Sequence, residues 1–269
     1  MVKSRTPYFN SWLPYLLIGF LAGLLSGFFG IGGGTLIVPA LLFISGFDQR
    51  LAAGTSLAAI LPPAVVGLLG YLPSGGVDWI AGGIIAAGSI VGAQIGSWLL
   101  HKLPIVFLRW LFIVFLFVVA VQLFFTIPNR DIGLDLDVWV IAGLVLLGLL
   151  TGLLAGLIGV GGGIVVVPAL MLFFGVSDIV AKGTSLLMML PTSVSGTIGN
   201  FRRKNVDLKA AMIIGITAAV FSYFGVQLAL IANPQMASIL FAVYIVILIV
   251  RMVMQGFKKK PDTDKPTAE

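Results

Sequence analysis

The stretch "GFFGIGGGTLIVPALL", residues 27–42, sets glycines and a proline in a run otherwise apolar enough for lipid, and "GLIGVGGGIVVVPALM", residues 156–171, repeats the arrangement. Glycine permits positive φ and lets another group approach the backbone, so the triple glycine predicts an elbow where one helix ends and another starts. The piece after each elbow is about 11 residues, or about 16 Å at ~1.5 Å per residue, roughly half of a ~30 Å hydrocarbon layer. A helix that starts inside the membrane presents unpaired N–H groups and the positive end of its dipole to the interior, an anion site that needs no charged side chain. Glycine in membrane helices also serves close packing, and for the elbows this second reading stands beside the first.

The two stretches belong to a longer repeat. Shifting the chain by 129 residues aligns 23–79 with 152–208 without a gap and with 25 identities in 57 positions. The shift pairs Gly32, Gly33 and Gly34 with Gly161, Gly162 and Gly163, and Thr35 with Ile164. It pairs "GTSL" at 54–57 with "GTSL" at 183–186, Pro62 with Pro191, and Asp78 with Asp207.

Composition fixes the setting. The chain is 59% hydrophobic and 10% charged, with a mean hydropathy of +1.13, far from a water-soluble domain. Spanning segments in lipid must satisfy their own backbone, and the apolar runs are continuous where a β-barrel would alternate, so the expected fold is all-α and polytopic. The helical pieces are expected at 12–30, 35–45, 51–71, 78–100 and 105–127, then at 138–159, 164–175, 180–200, 208–231 and 236–255. This makes 12–127 the first transmembrane repeat, 128–137 a connector, 138–255 the second repeat, and 256–269 a disordered tail. The segment after Lys3 and Arg5 runs on as an apolar span without a clear cleavage site, so no removable signal is expected.

Lys and Arg in short loops favour the cytoplasmic face. Lys3 with Arg5, His101 with Lys102, "FRRKN" at 201–205 and Lys258 to Lys260 are the basic clusters, while "LPSGGV" at 72–77 is uncharged and the connector carries Asp131, Asp135 and Asp137. With both termini cytoplasmic and the connector outside, the spans alternate if each elbow forms a hairpin. Five pieces per repeat then insert the second half upside down, the inverted-repeat plan of secondary transporters in the cell's inner membrane.

The candidate substrate-binding residues are Gly32, Gly33, Gly34, Thr35, Thr55 and Ser56 with their counterparts Gly161, Gly162, Gly163, Ile164, Thr184 and Ser185. Hydroxyls of the Thr-Ser pairs can donate to an anion without the burial of a cation; capping or bonding to the preceding helical turn is the other reading. Pro62 and Pro191 lie within spans and are candidate kinks or gates. Asp78 and Asp207 read as N-caps. Gln94, Asn200 and Tyr223 either line a path or bond between helices, as do Gln122 and Gln227, and Arg109 reads as snorkelling to the interface. His101 reads as a solvated loop residue, and the glycines four apart at Gly19/Gly23/Gly27, Gly88/Gly92/Gly96 and Gly148/Gly152/Gly156 as packing positions.

The absence of cysteine removes disulfides and thiol chemistry. With one histidine in a loop and all acids in loops, at span ends or in the tail, the pattern points away from an enzyme, a metal, a cofactor or a proton relay. The net charge of +6 reads as an orientation signal and not a nucleic-acid patch. The partners expected are a small anion and membrane lipid, with monomer and homodimer both open.

The paired "GIGGGTLIVPAL" and "GVGGGIVVVPAL", "AAGTSL" and "AKGTSL", and the "GNFRRKNVD" after the eighth piece resemble the TauE/SafE family of sulfite exporter type. The resemblance covers essentially the whole chain. It implies an inner-membrane transporter of small sulfur-containing anions such as sulfite or organosulfonates, with the elbows and Thr-Ser motifs of both repeats lining the site. A channel or carrier for another small anion, or a membrane protein without transport, are the alternatives. The first repeat has "GYLPSGGVD" where the second has "GNFRRKNVD", so Arg202, Arg203 and Lys204 mark one face only.

Overall fold

A computed structural model of the chain describes residues 12–99, 110, 113, 114, 116–118, 120, 121, 137–158 and 160–257. Most of the fifth expected piece, nearly all of the connector, and His101, Arg109, Gln122 and the tail beyond 257 lie outside the described residues. Among the described residues the secondary structure is helical throughout: α1 (Leu13–Phe29), α2 (Gly34–Ile44), α3 (Gln49–Tyr71, extended by a tight turn Leu72–Ser74), α4 (Trp79–Leu99), α5 (Val138–Ile158), α6 (Gly163–Phe173), α7 (Asp178–Arg202), α8 (Leu208–Ile231) and α9 (Pro234–Phe257). The starts of α2, α3 and α4 differ from those of α6, α7 and α8 by the same 129 residues that relate the sequences.

Local chemistry explains the boundaries. Gly30, Gly32 and Gly33 have φ of 71°, 71° and 73°, and Gly161 and Gly162 have 80° and 83°, so each elbow uses a backbone conformation that only glycine adopts freely. α3 and α7 start two residues earlier than the hydropathy pattern predicts. Asp48 accepts from the amides of Arg50 and Leu51 at 2.9 and 2.8 Å, and Ser177 accepts from Val180 at 3.3 Å, so each is an N-cap that draws the next residues into the helix. Asp78 accepts from Ile80 and Ala81, and Asp207 from Ala210, as N-caps of α4 and α8.

The helices long and apolar enough to cross a membrane are α3 with its following turn, most of α5, α8, and α9 as far as Met254; α1, α2, α6 and the segment Trp79–Ile95 are shorter apolar helices. α7 reaches 25 residues but is more polar.

The repeats are interleaved. α1 packs along α8 and α4 along α5, each across the repeat boundary, while α3 contacts α7 and α8. Small residues make this possible. A Cβ added at Gly19 would lie 2.7 Å from the Ile214 carbonyl, and one at Gly23 or Gly27 would press on the carbonyl of Ala218 or Ser222. Between α4 and α5, Gly88, Gly148 and Gly152 stand against the carbonyls of Val145, Ile85 and Ser89. These glycines are packing positions, as their spacing predicts.

α3 and α7 are equivalent by sequence and run antiparallel. Gly54, near the start of α3, meets Asn200 and Asn205 at the far end of α7, while Gly76, beyond the end of α3, meets Gly183 near the start of α7. Only an inversion of one repeat relative to the other brings equivalent helices together head to tail.

Candidate anion site at the crossing of the two elbows

The two elbows meet. A Cβ on Gly34 would lie 2.7 Å from the Val160 carbonyl, and one on Gly163 would lie 2.8 Å from Ile31 Cα and 3.0 Å from the Gly30 carbonyl. The starts of α2 and α6 are thus in contact, backbone against backbone. Gly33 is the N-cap of α2 and Gly162 of α6. Amides of Leu36 and Ile37 return to the Gly33 carbonyl at 3.0 Å, and those of Val165 and Val166 to Gly162 at 3.0 and 3.3 Å. The amides of Gly34, Thr35, Gly163 and Ile164 come before this ladder, and two positive helix ends converge on one place.

Ile60 of α3 and Met189 of α7 close the crossing. They are equivalent residues, both fully buried. A Cβ on Gly32 would come within 3.1 Å of Ile60 Cγ2 and press on Met189 Cε, and one on Gly161 would stand 2.5 Å from Met189 Cε and 3.2 Å from Ile60 Cδ1. The two apolar side chains therefore touch both elbows.

The "GTSL" motifs divide their work residue by residue. Gly54 admits the Asn205 carbonyl and Gly183 the Gly76 carbonyl. The Thr55 hydroxyl accepts from the Asp207 amide at 3.0 Å, and the Thr184 hydroxyl accepts from the Asp78 amide at 2.9 Å. Leu57 meets Gly196, and Leu186 meets Gly67. Three residues of each motif thus join one repeat to the loop or third helix of the other. The fourth is different: Ser56 and Ser185 are fully buried, and neither hydroxyl oxygen has a hydrogen-bond partner in the protein. Each precedes Ile60 or Met189 by four residues and shares its helix face.

This division predicts opposite outcomes within one motif. Thr55→Val and Thr184→Val each leave a backbone N–H without its acceptor and cost about 1–3 kcal/mol, read by thermal unfolding in detergent. Ser56→Ala and Ser185→Ala remove no bond and leave the melting temperature in place or raise it; a fall equal to that of the valine variants would show a hidden partner.

The remaining expected residues fall into groups. Thr35 is buried, and its hydroxyl is hydrogen-bonded to that of Tyr244 on α9. Tyr244 stacks on Phe29 at 5.7 Å, and Phe29 on Phe241 at 4.9 Å. At the other elbow Ile164 carries no hydroxyl, but Thr151 of α5 stands against Gly162, and its oxygen is buried without a partner. Pro62 and Pro191 are inside α3 and α7, which continue through them. Asn200 donates to the Gly196 carbonyl of its own helix at 2.9 Å. Gln94 is exposed, and Tyr223 is 49% exposed with its ring edge-on to Phe224. The structure does not bring Gln94 or Tyr223 to the crossing.

Sequence reasoning missed Tyr244, which lies in an apolar span with nothing beside it in the chain to mark it. It also missed the pair Asp178 and Lys182. Asp178 does open a helix, as an acid at a span end should, but it is 1% exposed and bonded at 3.0 Å to Lys182, itself 3% exposed. Lys182 packs its backbone on Gly30, and its ammonium lies 5.7 Å from the Phe28 ring centre. The first repeat has Gln49 and Ala53 at these positions, so only one side of the crossing holds an ion pair.

Along most of its length the chain is similar to probable membrane transporter proteins. A probable membrane transporter protein, YunE, of Bacillus subtilis is 27% identical over 84% of this chain and 90% of its own length. A probable membrane transporter protein of Methanocaldococcus jannaschii is 29% identical over 83% of this chain and 88% of its own, and one of Xylella fastidiosa is 29% identical over 73% and 75%. No solved structure matches the chain. The family described as sulfite exporter TauE/SafE matches residues 2–123 and 144–268, and with that span, nearly the full length, the chain belongs to the TauE/SafE family of membrane transporters.

Proposed function

We propose that this transporter exports small sulfur-containing anions, sulfite or short sulfonates, across the inner membrane by alternating access between its two repeats. The observation that supports the reading is the pair Ser56 and Ser185: buried, without partners, one helical turn from the residues that close the elbow crossing. A buried hydroxyl without a partner costs free energy that a bound anion would recover. Two such donors, related by the repeat, lie one helical turn from the side chains that cover two helix N-termini suited to negative charge. Dehydrating an oxyanion needs several donors at once, and this is how an apolar core can offer them without a permanent positive charge at the centre.

Transport then requires Ile60 and Met189 to part on one side at a time. With cytoplasmic termini, an anion leaving a cell whose interior is negative gains about 2.3 kcal/mol per charge per 100 mV, enough to drive export without a second ion. The family name carries the sulfur anion; the site geometry supports an oxyanion with several acceptor oxygens.

The test is flux of labelled sulfite and of a short sulfonate into liposomes holding the purified protein at two clamped potentials. Saturable flux that follows the potential is expected. Ser56→Ala/Ser185→Ala should reduce it about tenfold to a hundredfold, the equivalent of losing about 1.5–3 kcal/mol of hydrogen bonding to a charged ligand. Flux that never saturates would make the protein a channel, and a fixed number of protons carried with each anion would overturn the potential-driven mechanism.

A further inference from the structure

We infer that α7 alone provides a hydroxyl-lined lane along which the anion passes between the elbow crossing and the basic end of that helix at Arg202, Arg203 and Lys204. The observations lie on one helix face. Ser185, Met189, Ser193 and Thr197 follow at intervals of four, within an arc of about 120° at ~100° per residue. Ser185 and Ser193 are fully buried, and the hydroxyl oxygens of Ser185, Ser193 and Thr197 are all buried without a partner in the protein.

The usual fate of such a residue in a membrane helix is a bond to the carbonyl four residues earlier. α7 shows that fate elsewhere: Thr192 donates to the Met188 carbonyl at 3.0 Å and Asn200 donates to Gly196 at 2.9 Å. The three hydroxyls of the stripe do not follow it. Val194 and Ile198, on the side of the helix away from the stripe, are 45% and 50% exposed, as a lipid-facing surface is.

The inverted repeat supplies an internal control. In α3 the positions equivalent to Ser193 and Thr197 are Ala64 and Leu68, both buried in the apolar core. The two halves are therefore not interchangeable. Beyond the constriction of Ile60 and Met189, α7 continues as donors toward three cations, whereas α3 continues as hydrocarbon toward the uncharged "LPSGGV" turn. A small anion stripped of water finds the hydroxyls of Ser193 and Thr197 along the first route, where the equivalent helix offers only Ala64 and Leu68 along the second. The asymmetry assigns the entry lane to the basic end and leaves the opposite exit to open by movement of the helices.

The lane rests on the anion reading only for the identity of the ion, and its test does not need sulfite to be the substrate. The chain has no cysteine, so Ser193→Cys, Thr197→Cys, Ala64→Cys and Leu68→Cys each place one thiol. In proteoliposomes, a negatively charged methanethiosulfonate applied to the face bearing Arg202 should modify the first two at least tenfold faster than the second two. Only protein that remains monodisperse is scored. Equal slow labelling at all four overturns the lane even if sulfite flux is intact. Fast labelling at Ser193→Cys and Thr197→Cys sustains it even if wild-type protein carries no sulfite, in which case the substrate assignment fails alone. As a second measurement, Ser193→Ala/Thr197→Ala should lower the rate of anion entry from that face severalfold with the melting temperature unchanged; unchanged entry overturns the lane.

Discussion

Alanine at Gly34 and Gly163 together should cut the proposed anion flux by more than about tenfold while the helices still form. Each added methyl would sit 2.6–3.0 Å from groups of the other elbow or of its cover: Ile60 Cδ1 and the Val160 carbonyl for Gly34, Ile31 Cα and the Gly30 carbonyl for Gly163. Most of these are backbone atoms with no rotamer to change. Overpacking of this kind costs roughly 1–3 kcal/mol per site, and relief requires the starts of α2 and α6 to move apart. Two helix ends that no longer converge cannot share one anion. The expected result is flux down by more than about tenfold and a lower melting temperature, with helical circular dichroism retained at 20 °C. Gly46→Ala and Gly175→Ala are the matched controls. Both glycines have positive φ, 64° and 66°, and neither has an atom within 4 Å of an added Cβ. Each pays the ~1 kcal/mol of a left-handed alanine without touching the crossing, and flux should persist. Loss in the controls as well would mean that backbone freedom, and not the contact of the elbows, is what transport needs.

The sequence carries the frame of this molecule to the residue, because the frame is written twice. The 129-residue offset, the short helices after the elbows and the N-caps at Asp78 and Asp207 are local features that any copy must show. What it hides is which side chain meets which. Nothing near Thr55 indicates that its hydroxyl is taken by the Asp207 amide, 152 residues away, or that Thr184 serves Asp78 at a separation of 106. The Thr-Ser pair therefore reads as two equal donors, and only the fold separates a threonine that joins the repeats from a serine left without a partner. Likewise Gln94 and Tyr223 are polar residues in apolar helices, and the choice between interior and surface depends on the rotation of α4 and α8. Some mismatches put the polar residue in the second repeat, Lys182 for Ala53, Ser193 for Ala64, Thr197 for Leu68 and Thr151 for Ala22, while Thr35 for Ile164 and Ser26 for Ala155 run the other way. Comparison of the copies by their mismatches, and not only by their identities, picks out the residues that make α7 unlike α3.

The strongest of those mismatches gives the second large effect. Lys182→Met alone should destabilise the protein by about 3–5 kcal/mol, because it leaves the Asp178 carboxylate buried without its ammonium. Methionine keeps the unbranched stem that packs beside Gly30 and Phe28, so little of the loss comes from shape. Asp178→Asn/Lys182→Met should recover most of it, since replacing both members of a buried pair by neutral groups of similar size is often neutral or stabilising. The first repeat has Gln49 and Ala53 at these positions, and Gln49 is exposed, so the buried pair belongs to the second repeat alone. The measurement is a double-mutant cycle by chemical denaturation in detergent, in which the coupling energy isolates the pair from its separate packing. If the double variant is as unstable as Lys182→Met, the ion pair holds nothing and the lysine stem does. If it regains stability but not flux, the pair belongs to transport. That second outcome is the expected one, because a buried ion pair is seldom needed for stability, and this one stands where Lys182 of α7 packs on Gly30 at the end of α1, the contact that must shift when the two helices move past each other.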